Sequence, residues 1–186
     1  MLLKPLRGGW HGWFGTFNGV VLLTVVSLPL AALALVVLVR WRKAAGSAQP
    51  WRMSLAEVGL VYGTVPWLWI TMLPGSHAGE VPGRVSLIPL RDIVTLLGSG
   101  PLMATLQIGG NLLVLAALGF FAPLRFRALA SVPRILALAA GCSILIETAQ
   151  YVLQLDRVSS VDDVLLNTAG AGLAALASRH WWAARR

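Results

Sequence analysis

A chain of 186 residues that is 57% hydrophobic and 12% charged, with a mean hydropathy of +0.76, is excluded from the ordinary soluble class, where about a quarter of residues are charged. Its net charge of +8 does not read as a nucleic-acid footprint. The basic residues stand in short clusters between apolar blocks, and no aromatic–basic surface is left once those blocks are set aside. The single cysteine, Cys142, lies inside an apolar block and supplies neither an internal disulfide nor a thiolate metal cluster.

Five apolar stretches are expected to span a bilayer, each needing about 20 residues for a hydrocarbon core of about 30 Å. The first covers residues 20–39 and is closed by Arg40, Arg42 and Lys43. Residues 45–48 after it loosely resemble a leader cleavage site. The apolar run is longer than a leader core, however, and basic residues follow it closely instead of preceding it, which favours a retained span. The second stretch covers 55–73, where Gly59 and Gly63 form a small-xxx-small pair suited to close helix packing. Residues 74–101 are no plain linker: Leu87, Ile88, Leu90, Ile93, Val94, Leu96 and Leu97 surround Arg91 and Asp92, which predicts an interfacial or re-entrant segment. The third, fourth and fifth stretches cover 102–124, 132–155 and 164–182, and Ala169 to Gly172 give the last a narrow surface. Trp10, Trp13, Trp67, Trp69, Trp181 and Trp182 fall near the span ends, as interfacial aromatics do.

The fold class expected is therefore an all-α, polytopic membrane helix bundle of about five spans. Residues 1–54 form an N-terminal span with its basic loop, and residues 55–186 form a four-helix domain. Ten of the fifteen Lys and Arg residues fall on the side shared by the 40–54 loop, the 125–134 loop and the C-terminus. The positive-inside rule then places the N-terminus outside and the C-terminus in the cytoplasm.

Seven acidic residues are present and four of them lie between 147 and 163. Glu147 sits within the fourth span, with Gln150 and Gln154 three and seven residues on, so that all three would share one helix face. An ionisable group at such depth costs about 2.5–3.5 kcal/mol on insertion scales, so this face should point into the bundle. Gln107 and Asn111 on the third span, and Asp163 and Asn167 on the fifth, are expected at the same depth, with Arg157 as a nearby cation. Taken singly, Gln107, Asn111, Gln150 and Asn167 read equally as interhelical hydrogen-bond glue. Asp162 and Asp163 follow Ser159 and Ser160 at capping-box spacing, and capping is the better account of Asp162. Neither capping nor packing accounts for Glu147. His11, His77 and His180 stand in terminal or loop regions without partners at ligand spacing, so no metal is expected. No cofactor is expected either, as no nucleophile elbow, zincin motif or phosphate loop is present.

The run Ser143, Ile146, Glu147 and Gln150, then Arg157, then Asp162, Asp163, Asn167 and Gly170 resembles the signature of the VanZ-like family: S-x-x-I-E-x-x-Q, an Arg, and D-D-x-x-x-N-x-x-G. Upstream, Gly110-Asn111 and Leu118-Gly119-Phe120 are similar to the family's Asn-bearing helix, and residues 86–90 to its N-L-x-P-F segment. Ser86 stands where Asn is common, Leu90 where Phe is common, and Ala117 where a Pro precedes the family's Gly. The resemblance covers roughly residues 81–176. It implies a four-helix core and a bacterial cell-envelope membrane protein, in a family whose founding member is associated with resistance to the glycopeptide teicoplanin.

Three functions follow as expectations. The first is an envelope protein of the bacterial plasma membrane, without evident catalysis, that affects glycopeptide susceptibility or meets lipid-linked envelope precursors. The second is a membrane enzyme in which Glu147 and Asp163 form an acid–base pair on an outer-leaflet substrate. The third is a proton-coupled transporter with Glu147 as the carrier. The lipid bilayer is the one partner common to all three, and oligomeric state is left open.

Overall fold

The computed structural model describes residues 15–182. Trp10, His11, Trp13, Arg185 and Arg186 lie outside the described residues. Helix α1 (Phe17–Ala44) opens on Thr16, whose side chain accepts the Gly19 N–H at 3.1 Å, and closes on Arg42 and Lys43, which complement the helix dipole. Helix α2 (Pro50–Thr71) begins with proline at its first turn, where a missing N–H costs nothing. Pro29 and Pro66 lie inside these two helices, as membrane helices tolerate.

The segment between the second and third expected spans is partly ordered by pairing. Strand β1 (Arg84–Ser86) leads to a short amphipathic helix α3 (Arg91–Gly98), in the stretch where the sequence predicts an interfacial or re-entrant segment. Strand β1 pairs in parallel with β2 (Val158–Ser160), matching Arg84 to Val158 and Ser86 to Ser160. This two-stranded ribbon was not foreseen: three residues are too few to show a period of two against the apolar background.

The third expected span is two helices, α4 (Pro101–Val114) and α5 (Ala116–Arg125), broken at Leu115. Val114 and Leu115 are both 1% exposed, so the break lies in the core. It has a packing reason on each side. Gly170 meets the backbone of Leu112, and Gly119 meets that of Ala171, so each half approaches the same neighbouring helix to backbone contact. Helix α6 (Val132–Val152) ends three residues before the expected boundary. Helix α7 (Val161–Trp182) starts three residues early, directly after β2.

Among the described residues, four helical segments are long and apolar enough to cross a membrane, with 101–125 counted as one. Helix α7 has the length of α2, but the polar residues of its first turns lower its apolarity. It is the centre of the bundle, packed against α4, α5 and α6, with Ala171 and Ala175 fully buried in the core. Gly59 and Gly63 bring α2 against Phe121 and Ala117 of α5, as their spacing predicts. Helix α1 lies along α2 and leaves Val25, Val26, Leu30 and Leu33 outward, the pattern of a face turned to hydrocarbon. At the opposite end from the ribbon, Glu57 of α2 accepts from both Arg42 of α1 and Arg125 of α5. Arg42 also donates to Ser54 at 2.6 Å. One carboxylate thus ties three helix ends together.

Candidate functional site

The ribbon end of the bundle encloses a polar cavity of about 280 Å³. Helix α6 brings Glu147 and Gln150 to its wall, α4 brings Gln107 and Asn111, α7 brings Asp163 and Asn167, and the β2 approach brings Arg157. Three helices thus bring these side chains to one cavity.

Glu147 is 8% exposed and held at two points. Its Oε2 accepts the Ser160 N–H at 3.0 Å, and its backbone carbonyl accepts from the Ser159 hydroxyl at 2.9 Å. Ser160 caps α7, accepting the Asp162 N–H at 3.1 Å. In a capping box the third helical residue, here Asp163, would reach back to the Ser160 N–H. Glu147 takes that donor instead, which releases Asp163 to accept from Asn111 across the cavity.

Asp162 does cap a helix, but not its own. Its carboxylate, 1% exposed, accepts the N–H groups of Leu90, Asp92 and Ile93 at 2.6, 2.9 and 3.1 Å, which are orphan donors at the start of α3. Leu90 adopts a left-handed φ of 66° to turn the chain into that helix. Asp162 is therefore a strut between α7 and α3 and lies apart from the cavity.

Gln150 donates to the Thr71 carbonyl at 2.8 Å, joining α6 to the end of α2. Arg157 donates to the carbonyls of Leu73 and Ile70 at 3.2 and 3.4 Å. It thereby caps the end of α2, and no ion pair with Glu147 forms among the described residues. Gln154 departs from expectation: α6 has ended, the residue turns at φ 49°, and it does not line the cavity. Asn167, 2% exposed, donates to Ser143 at 2.8 Å, while its Oδ1 is buried without a partner.

Three contributors were not singled out from the sequence. Arg84 and Asp156 line the cavity and pair with each other at 3.4 Å, and Thr71 supplies a backbone acceptor. The signal for the first two was available, since opposite charges in two loops of a charge-poor chain invite pairing. The Thr71 carbonyl has no side-chain signal. The exposed His77 lies against the half-buried Asp156, His180 stacks edge-on with Trp181, and no group of three His, Cys, Asp or Glu residues able to hold a metal occurs among the described residues.

The fold and this site define a polytopic membrane helix bundle with a polar centre near one end. The VanZ/LLP1 family model matches residues 60–182, and the chain belongs to that family. No curated protein and no solved structure gives a significant match.

Proposed function

We propose that this protein works in the bacterial plasma membrane as a binding protein for the polar part of an envelope ligand, a lipid-linked precursor or a teicoplanin-type glycopeptide, with the cavity open toward the outer leaflet. The N-terminus is then outside and the C-terminus cytoplasmic, in keeping with the basic clusters at the Arg42–Glu57–Arg125 end. One observation carries the reading: the Asn167 Oδ1 is buried and unsatisfied at a cavity that also holds the Glu147 and Asp163 carboxylates. A buried acceptor without a donor costs about 1–3 kcal/mol, and a ligand rich in hydroxyl or amine donors removes that cost. Arg157 and Arg84 supply cations for an anionic group beside it. The test is teicoplanin susceptibility and cell-surface precursor content in a host with and without the chain. A change produced by the parent chain and lost in Glu147→Gln and Asn167→Ala, at equal membrane levels, supports the reading. No change with the parent chain overturns it.

The second reading, an acid–base enzyme, is favoured by the different surroundings of the two carboxylates. Glu147 faces a backbone N–H and Asp163 an amide side chain. It predicts conversion of an outer-leaflet substrate that Glu147→Gln abolishes while binding persists.

A further inference from the structure

The polar cavity holds more acceptors than donors. Glu147 spends one carboxylate oxygen on the Ser160 N–H, and Asp163 spends one on Asn111, which leaves each with its second oxygen. The carboxamides add to the surplus, because their nitrogens are committed to the protein. Asn111 donates to Asp163, Gln150 to the Thr71 carbonyl at 2.8 Å, and Asn167 to Ser143 at 2.8 Å. Their oxygens remain, and that of Asn167, a residue 2% exposed, is buried with no partner. All five residues line the same cavity of about 280 Å³.

Charge is unbalanced in the same direction. Neither Glu147 nor Asp163 forms an ion pair among the described residues. Of the two arginines at the cavity, Arg84 is paired with Asp156, and Arg157 is exposed and donates to the carbonyls of Leu73 and Ile70. Carboxylates taken out of water are paired or bound to a metal. The geometry points to a site for one hard divalent cation, of the calcium or magnesium kind. Its ligands are the free oxygens of Glu147 and Asp163 and the carboxamide oxygens of Asn111, Gln150 and Asn167. Two carboxylates fall short of a set of three acidic or histidine ligands, but such cations take amide oxygens alongside carboxylates. Softer metals do not suit the cavity, since neither Cys nor His lines it. This rests on the reading of the cavity as a ligand site and adds the means of recognition. Coordination positions that the protein leaves open take oxygens of the envelope ligand.

The experiment uses the full chain in phosphatidylcholine nanodiscs, stripped with a chelator and titrated calorimetrically with calcium and with magnesium chloride in a sodium chloride background. The expected result is one saturable site per chain for at least one of the two ions. Its Kd should be on the order of 10⁻⁴–10⁻³ M, the weak end of the calcium range, where ligand charge is low. Glu147→Gln and Asp163→Asn keep the side-chain shape, remove one ligand charge each, and should weaken binding roughly tenfold or more. Asn167→Asp adds a third carboxylate at the same position and should tighten it, so the site remains testable if either of the other variants folds poorly. Glu80→Gln, at an exposed carboxylate outside the cavity, should leave it unchanged. Absence of saturable binding by either ion to the folded parent chain overturns the inference and leaves the cavity reading to the susceptibility assay. Saturable binding that the three cavity variants do not alter places the ion elsewhere and overturns it as well. Binding that follows the variants while susceptibility and precursor content stay unchanged upholds the cation site and overturns the envelope-ligand reading alone.

Discussion

At the scale of single residues, the molecule places its few polar groups so that most satisfy one another. Asp162 is the clearest case, one carboxylate answering three backbone donors of a helix 70 residues away in sequence. Asp162→Ala leaves those donors buried or half-buried without a partner, and a lost acceptor of this kind costs about 1–3 kcal/mol. The expected outcome is a lowered thermal midpoint in detergent and faster amide exchange confined to α3. Asn167 is the opposite case, since its Oδ1 is buried without a partner. Asn167→Leu removes that acceptor along with the bond to Ser143, so stability should fall by less than a second unsatisfied group would cause, while any ligand response disappears. Thermal melts measure the first effect, and the susceptibility assay in a host carrying the variant measures the second.

At the scale of elements, the break between α4 and α5 and the glycines of α7 form one device. A Cβ on Gly119 would stand 2.0 Å from the Ala171 carbonyl oxygen, and one on Gly170 would stand 1.9 Å from that of Leu112. Both obstacles are backbone and cannot swing aside. Gly119→Ala and Gly170→Ala should each cost about 1–3 kcal/mol or more, as overpacked cores do. They should also separate Asn111 from Asp163, because α4 and α7 would have to part. Folded yield by size-exclusion chromatography measures the first effect, and an engineered disulfide between positions 111 and 163 that forms only in the parent background measures the second. Gly141, by contrast, has no atom within 4 Å of an added Cβ, so Gly141→Ala should be neutral or mildly stabilising in the same assays.

At the scale of the whole molecule, the two ends of the bundle differ in kind. One end is tied by Glu57 between Arg42 and Arg125, and the other holds the cavity, the ribbon and α3. Single cysteines at Ser47, Ser76 and Ser131 in a Cys142→Ala background locate the two ends relative to the membrane. Labelling of intact cells by an impermeant reagent at the ribbon end alone, read at Ser76→Cys, which is exposed there whereas position 160 is buried, agrees with an outward cavity. Labelling at 47 and 131 in intact cells places the cavity toward the cytoplasm and removes the glycopeptide reading. Glu57→Ala should loosen three helix ends at once, and greater protease sensitivity near residues 44–50 and 125–132 would show it.

The sequence by itself determined the membrane class, the helix order and the polar residues that gather at one cavity. These depend on local length and apolarity, and on the depth at which each span places a residue, all of which are additive along the chain. Glu147, Gln150, Asn111, Asp163 and Asn167 were legible because a polar residue in an apolar run stands out wherever it falls. Only the tertiary structure decided what each of them touches. That Asp162 caps α3 and not its own helix, that Glu147 takes the donor Asp163 would have taken, that Arg157 closes α2, and that Gln154 leaves the site all depend on where other elements pass. The ribbon joining residues 84–86 to 158–160 had no local signal either, since its hydrogen bonds link segments more than 70 residues apart and their cost and gain are settled only when the bundle has brought them together.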